Sequence, residues 1–228
     1  MNAEVVEAAG LVRDRLGEVV LLLQTVFSPL TTAMKLSGGR VIDHLRERPE
    51  NVHEALQVVS SVTHDIVTAS LDRGASGIFF VTQCARHDLL SDQKNQEFGA
   101  AYDLPVLEAA GASRFMLLHI HGFEIMFDAL SRYPVHALNW HDRQTAPSLT
   151  DGQATSGRCV VGGIDDQAIV AGSAAEAAAQ AEDALIATGG RRMMLWRPAA
   201  SFRWRRQRSI SPQSCEQRAR SAPDPKGG

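Results

Sequence analysis

The 228-residue sequence has little of three features that would decide its class at once: cysteine, long apolar runs and a targeting segment. Its three cysteines, Cys84, Cys159 and Cys215, are too few and too scattered for a disulfide framework, so a reducing compartment is expected. No apolar run approaches the roughly 20 residues of a membrane helix. The first ten residues lack the basic start and apolar core of a signal peptide. The sequence therefore predicts a cytoplasmic protein without a membrane partner.

The charged residues are unevenly distributed along the chain. Residues 197–228 hold eight of the 23 Lys and Arg residues but only two of the 26 Asp and Glu residues. Their Arg, Ser and Pro content without apolar periodicity is typical of a disordered basic tail. Nucleic-acid binding through the stretch RWRRQR is not expected, because the rest of the chain is acidic. A reading frame disrupted after Leu195 is a third interpretation. We predict one domain over residues 1–196 and a separate tail over 197–228.

Strand-like and helix-like segments alternate through the first domain. Continuous apolar runs, typical of strands buried on both faces, occur at 19–24, 77–82, 115–120, 135–140, 158–163 and 191–196. Amphipathic helices are predicted at 50–72, 91–110, 123–131 and 173–190. Repeated strand–helix units predict parallel strands, in either a doubly wound sheet or a barrel. No Gly-x-Gly-x-x-Gly follows the first strand, which counts weakly against a dinucleotide-binding sheet.

Polar residues cluster at the carboxyl ends of four predicted strands. These ends are Thr82-Gln83, residues 119–122, residues 139–142 and residues 162–165. Barrel enzymes show this distribution because their βα loops converge on one face. We therefore predict an α/β fold, an incomplete (β/α)₈ TIM barrel of about six parallel strands with outer helices, since a closed barrel needs eight.

Five motifs in a fixed order resemble the uroporphyrinogen decarboxylase (URO-D) superfamily. The segment FSPLTTAMKLSGG (27–39) is similar to that family's Pro-Trp-Thr turn and following helix. GASGIFFVTQCARHDLLSDQKNQEF (74–98) is similar to its Gly-Ala strand, polar strand end and Leu-Ser helix start. LLHIHG and ALNWHDR follow, and GGIDDQAIVAGSAAE (162–176) resembles a Gly-Asn-x-Asp-Pro loop and the next helix entry. The ordered set is stronger evidence than any single motif.

The resemblance implies a barrel with its cleft at the C-terminal face, in a chain that starts at what would be the third strand. It also implies one of two chemistries. One branch of the family decarboxylates the acetate side chains of a tetrapyrrole without a metal. In the methyltransferase branch, a His-x-Cys strand end and a later cysteine bind zinc, which activates a thiol toward a methyl group carried by a corrinoid.

His119 and His121 are the candidate metal ligands. Residues two apart in a strand point to the same side, so both imidazoles enter one cavity if that side faces the barrel axis. In the resemblance, His121 takes the place of the first zinc-binding cysteine. The later cysteine has no counterpart, and the open candidates for a third ligand are Cys84, His141, Asp142 and Glu124. The alternative is a pair of neutral histidines hydrogen-bonded in a polar cleft without metal.

The motifs also assign further site residues by resemblance. Catalytic roles are predicted for Thr82, Asp142 and Asp165. Substrate contacts are predicted for Pro29, Gln83, Asn139, His141 and Gly163. Arg86 and Arg143 are expected to form surface salt bridges rather than to bind substrate carboxylates.

The predicted function is that of a URO-D superfamily protein in tetrapyrrole- or corrinoid-linked metabolism. Zinc-assisted methyl transfer from a corrinoid to a thiol is preferred, uroporphyrinogen decarboxylation is the alternative, and a catalytically inactive fragment is the third interpretation. Zinc is the predicted cofactor, no tightly bound organic cofactor is expected, and the partners would be a tetrapyrrole, a corrinoid or a corrinoid protein. Two unpaired sheet edges would favour a homodimer.

Overall fold

The computed structural model describes residues 3–165, 173–190 and 193–195. The predicted tail over residues 197–228 lies outside the described residues, as does the part of the 162–176 motif at residues 166–172. The described residues belong to one compact unit that covers residues 1–197.

Six parallel strands form one open sheet in which the spatial order follows the sequence. The strands are β1 (Leu23–Phe27), β2 (Gly77–Thr82), β3 (Phe115–Ile120), β4 (Ala137–Trp140), β5 (Cys159–Gly162) and β6 (Met193–Leu195). Helices connect the strands, as parallel crossovers require. The architecture is therefore an incomplete (β/α)₈ barrel, as predicted.

Nine helices surround the sheet within the described residues, and some of them begin at a side-chain cap or a first-turn proline. They are α1 (Ala3–Leu16), α2 (Pro29–Leu36), α3 (Val41–Glu47), α4 (Pro49–Asp72), α5 (Asp92–Asn95), α6 (Ala101–Ala109), α7 (Phe127–Leu130), α8 (Leu149–Ser156) and α9 (Ala174–Ala187), with a π-helical turn over Gln96–Ala100. Pro49 occupies the first turn of α4, and the hydroxyls of Ser91 and Ser173 cap α5 and α9. Within the described residues, no helix is long and apolar enough to cross a membrane.

The two faces of the sheet carry different cores, because successive side chains point to opposite sides. The outward face packs under the helices and contains Ile78, Leu118, Ile120 and Trp140. The inward face carries a small cluster of Leu117, Ala137 and Val161, with Leu23, Phe79, Phe115 and Cys159 packed against it. His119 of β3 shares this inward face.

Several element boundaries differ from the predictions, and three of the differences have a clear physical reason. The first strand begins at Leu23 rather than at residue 19, because its pairing starts where Leu23 lies opposite Gly77. The predicted helix over 123–131 is reduced to α7, because Ile125 forms a bridge with Arg86 instead. The predicted helix over 91–110 is divided by the π-helical turn, and Pro105 inside α6 cannot donate to a preceding carbonyl.

Candidate metal centre

Three histidines meet at the carboxyl end of β3 and β4. His119 lies opposite Asn139 in the β3–β4 register. His121 and His141 each follow two residues later, so they leave the sheet side by side on the same inward face. The parallel pairing of two strands therefore brings together residues that are about twenty positions apart in the sequence.

The donor atoms of the three rings are close enough for one metal ion. One nitrogen from each ring lies within 4.8 Å of the other two. His141 Nε2 and His121 Nδ1 are 3.2 Å apart and share a hydrogen bond. Tetrahedral coordination at Zn–N distances of about 2.0–2.1 Å places two donors about 3.3–3.4 Å apart. The nitrogens of His121 and His141 are close to that separation, and the donor nitrogen of His119 lies within 4.8 Å of them.

His119 forms the buried floor of this cluster. It is only 7% exposed, and its Nδ1 lies 2.5 Å from Asn139 Oδ1. Burial, the largest cause, lowers the pKa of His119 to about 4, with the hydrogen bond to Asn139 opposing the shift and the neighbouring rings of His141 and His121 adding a smaller lowering effect. The ring is therefore neutral at pH 7, which is the protonation state that a metal ligand requires.

His141 is the third ring of the cluster, and it was one of the four candidates for a third ligand as well as a predicted substrate contact. The other candidates for a third ligand lie elsewhere. Cys84 is buried on the helix side beside Thr31 and Met34, and burial raises the pKa of its thiol to about 11. The side chain of Asp142 accepts a hydrogen bond from the Gly163 N–H at 3.0 Å. Glu124 is exposed and takes a positive φ of 51° in a turn.

The residues predicted to be catalytic do not join the histidines. Thr82 lies opposite Ile120, and its side chain is therefore on the outward face of the sheet, away from His119. Asp142 caps the loop after β5, and burial raises its pKa while the Gly163 N–H opposes that shift. Asp165 Oδ1 accepts a hydrogen bond from the side chain of Gln144 at 2.8 Å. These contacts hold the loops after β4 and β5 together.

The residues predicted to contact substrate are divided between structural positions and the cluster. Pro29 is buried at the first turn of α2. The backbone N–H of Gln83 donates to Thr31 Oγ1 at 2.9 Å, which ties the end of β2 to α2. The carbonyl of Gly163 accepts from Arg143 Nε at 3.1 Å. Of the predicted set, only Asn139 and His141 lie at the histidine cluster.

The two arginines form the salt bridges that were expected of them. Arg86 pairs with Asp88 through Nε at 2.9 Å and a second nitrogen at 2.5 Å. Arg143 contacts Asp183 at 2.6 Å and also donates to the carbonyl of Gln180. Each guanidinium already has a carboxylate partner.

Sequence reasoning missed the role of Asn139 as the hydrogen-bond partner of His119. It named His141 both as a substrate contact and as one of four candidates for a third ligand, without choosing between them. The signal for both was the register of β4 against β3: placing Asn139 beside His119 puts His141 beside His121. The apolar runs alone do not fix that register.

Comparison with known proteins agrees with this architecture. The chain superposes on a methyltransferase from Methanosarcina mazei with a TM-score of 0.73 and 20% sequence identity, covering 84% of this chain and 56% of that one. The chain thus spans little more than half the length of that protein. A search of curated proteins finds no match. The family model of uroporphyrinogen decarboxylase (URO-D) matches residues 2–194. With that match over most of its length, the chain belongs to the uroporphyrinogen decarboxylase family.

Proposed function

We propose that His119, His121 and His141 hold a zinc ion and that the chain carries out zinc-assisted methyl transfer from a corrinoid to a thiol. The observation that carries the proposal is the convergence of three imidazoles at the carboxyl end of the sheet. Family membership and the methyltransferase fold neighbour support the choice of chemistry.

The donor set suits zinc. Catalytic zinc sites keep three protein ligands and leave a fourth position for water or substrate. Imidazole nitrogens favour zinc and its transition-metal neighbours over magnesium or calcium, which prefer oxygen. His119 and the half-buried pair His121 and His141 supply three such nitrogens and no carboxylate. This composition agrees with a catalytic site more closely than with a closed structural one.

When bound, zinc would lower the pKa of a thiol in the fourth position, so that the thiolate predominates at neutral pH. The chain's own contribution is to present the thiol. Buried His119 closes the site from below, while His121 and His141 stand at its more exposed rim. The substrate would therefore enter from the carboxyl end of the sheet. Its sulfur would form the S–C bond as the Co–C bond of the corrinoid breaks, and the thiol proton passes to solvent.

Uroporphyrinogen decarboxylation is the second candidate, and the structure favours it less. A decarboxylase must hold the substrate's carboxylates with cationic or hydrogen-bonding groups. Arg86 and Arg143 are both engaged with carboxylates of the chain itself. The histidine cluster has no evident use in that reaction.

Zinc binding is the first test of the proposal. Purified protein should bind one zinc ion, and His121→Ala or His141→Ala should weaken binding at least tenfold, because each change removes one of three donors. The measurement is competition with a chromophoric chelator. His64→Ala, a change at an exposed histidine of α4, is the matched control and should bind zinc like the wild type. Wild-type protein that binds no zinc would refute the metal centre.

Methyl transfer is tested separately on the zinc-loaded protein. Methylcobalamin and 2-mercaptoethanol are mixed with it, and the loss of the methylcobalamin absorption is followed. The reaction should depend on both zinc and His121. If zinc binds but no methyl group moves, the metal centre stands and the proposed reaction fails, as expected for an inactive fragment.

A further inference from the structure

Asn139 bridges two strands within the row of residues that contains His119. Its Oδ1 lies 2.5 Å from His119 Nδ1, and its Nδ2 donates to the carbonyl of Val161 at 2.6 Å. The register places His119, Asn139 and Val161 side by side on β3, β4 and β5. Asn139 is 3% exposed, so water does not compete for either contact.

These two contacts fix the direction of the amide. The carbonyl of Val161 can only accept a hydrogen bond, so it must face the NH₂ group of Asn139. The opposite end of the amide, Oδ1, then faces His119 and can itself only accept. Turning the amide over would oppose two oxygens in a buried site, which costs the full penalty of unsatisfied buried groups. His119 Nδ1 must therefore carry the proton.

The consequence falls on the other ring nitrogen. A neutral imidazole with its proton on Nδ1 has its lone pair on Nε2. That nitrogen is the one left to face the cluster, because Nδ1 is occupied by Asn139. The tautomer that the strand row selects is thus the tautomer that a metal ligand needs.

We propose that Asn139 is a positioning residue of the metal centre, which fixes the tautomer and ring orientation of His119 through the carbonyl of Val161. The proposal rests on the metal centre proposed above and extends it to the neighbouring strands. His119 then has the tautomer and orientation of a ligand before any metal binds.

His121 and His141 differ from His119 in this respect. They share a hydrogen bond with each other, in which either ring can be the donor. That bond must give way when an ion takes their nitrogens, whereas the bond between His119 and Asn139 persists. Only His119 should keep one tautomer with and without metal.

The test compares variants by long-range ¹H–¹⁵N NMR, which distinguishes the two histidine tautomers, and by zinc affinity. In the metal-free wild type, His119, assigned by its loss in His119→Ala, should show the proton on Nδ1. Asn139→Leu should give a mixture of tautomers and a 10- to 100-fold loss of zinc affinity, the range typical for loss of a ligand's hydrogen-bond partner.

Asn95→Leu is the matched control, because Asn95 is equally buried (4% exposed) in α5 and does not contact the cluster. It should leave both the tautomer and the zinc affinity unchanged. If Asn139→Leu is not accommodated, Asn139→Ala is compared in its place.

Two results would overturn the proposal. One is a His119 tautomer that is unchanged in Asn139→Leu, and the other is a zinc affinity that is the same in Asn139→Leu and Asn95→Leu. A wild type that binds no zinc would instead remove the metal centre, while the tautomer measurement would still report the hydrogen bond by itself.

Discussion

Asp103 is a buried carboxyl group with an incomplete set of hydrogen bonds. Tyr133 donates to its Oδ2 at 3.0 Å, but Oδ1 has no partner within the described part of the chain. Burial raises the pKa of Asp103 to about 7, against the lowering effect of the Tyr133 hydroxyl. An unfolded aspartate titrates near pH 3.9. The folded state therefore holds the proton more tightly, and stability falls as the pH rises from about 4 to about 7.

We expect Asp103→Asn to remove this dependence, because an amide does not ionise. Relative to the wild type, the variant should gain stability between pH 5 and pH 8, by an amount on the order of a few kcal/mol for a shift of this size. Urea unfolding at both pH values measures the difference. Asp65→Asn, at an exposed position, should show no such gain. If the free energy of unfolding changes by the same amount from pH 5 to pH 8 in the wild type and in Asp103→Asn, the assignment to Asp103 is contradicted.

The predictability of the site also depends on single residues. The pairing of His119 with His121 could be predicted, because a spacing of two in a strand fixes a shared side. The same rule places Thr82 on the opposite face once it is aligned with Ile120, and that alignment was not available from sequence. His141 needed the β3–β4 register as well. The sequence predicts which residues of one strand share a face, but contacts between strands depend on the register of strand pairing.

Gly77 shows what the close approach of two strands demands. A Cβ at this position would lie 1.7 Å from the carbonyl oxygen of Phe115, far inside any allowed contact. Gly10 in α1 is the opposite case, since its nearest neighbour would be a side-chain atom of Arg73 at 3.8 Å. Gly77 therefore has no room for a side chain, whereas Gly10 has room for a methyl group.

We expect Gly77→Ala to destabilise the protein by about 3 kcal/mol or more, because β3 must move away from β2 to admit the methyl group. Gly10→Ala should stabilise it by about 0.5–1 kcal/mol, since alanine loses less backbone entropy in a helix. Urea midpoints of both variants measure the effects. Equal effects of the two substitutions would show that the β2–β3 approach is looser than described.

Some element boundaries depend on the local sequence, and others depend on the partner strand. The bounds of β2 and β3 were predicted to the residue, since apolar runs there end at polar or glycine residues. The run at 19–24 is equally apolar, yet Val19 is 94% exposed and pairing begins only at Leu23. Hydrophobicity predicts that a strand can form, but its partner decides where it begins.

The open sheet leaves apolar surface beside β1. Val19, Val20 and Leu21 are exposed just before this strand, and Phe27 is exposed at its end. An apolar groove also lies between α1 and β1, lined by Val5, Ala8, Ala9, Val12, Leu22 and Leu23 together with Glu4 and Gln24. Contiguous surface of this kind next to a strand edge marks a site of association.

The hydrogen bonds of β1 show which of its backbone groups face that edge. The carbonyl of Leu22 accepts from Ser76, and the N–H of Ser28 donates to Val81, so residues 22, 24, 26 and 28 face β2. The alternate residues, including Thr25, therefore direct their N–H groups outward. Proline at such a position is tolerated within a sheet but cannot pair with an added strand.

We propose, on this basis, that the chain self-associates through the edge of β1, as the predicted homodimer requires. The wild type should show a mass above that of the monomer in size-exclusion chromatography with light scattering, rising with concentration over roughly a hundredfold range. Thr25→Pro should return it to monomer with its circular dichroism retained. Val26→Pro, which removes a donor that faces β2, should instead unfold the protein. A wild type that is monomeric throughout, or oligomers that persist in Thr25→Pro, would exclude the β1 edge as the interface, because an added strand needs the N–H that proline lacks.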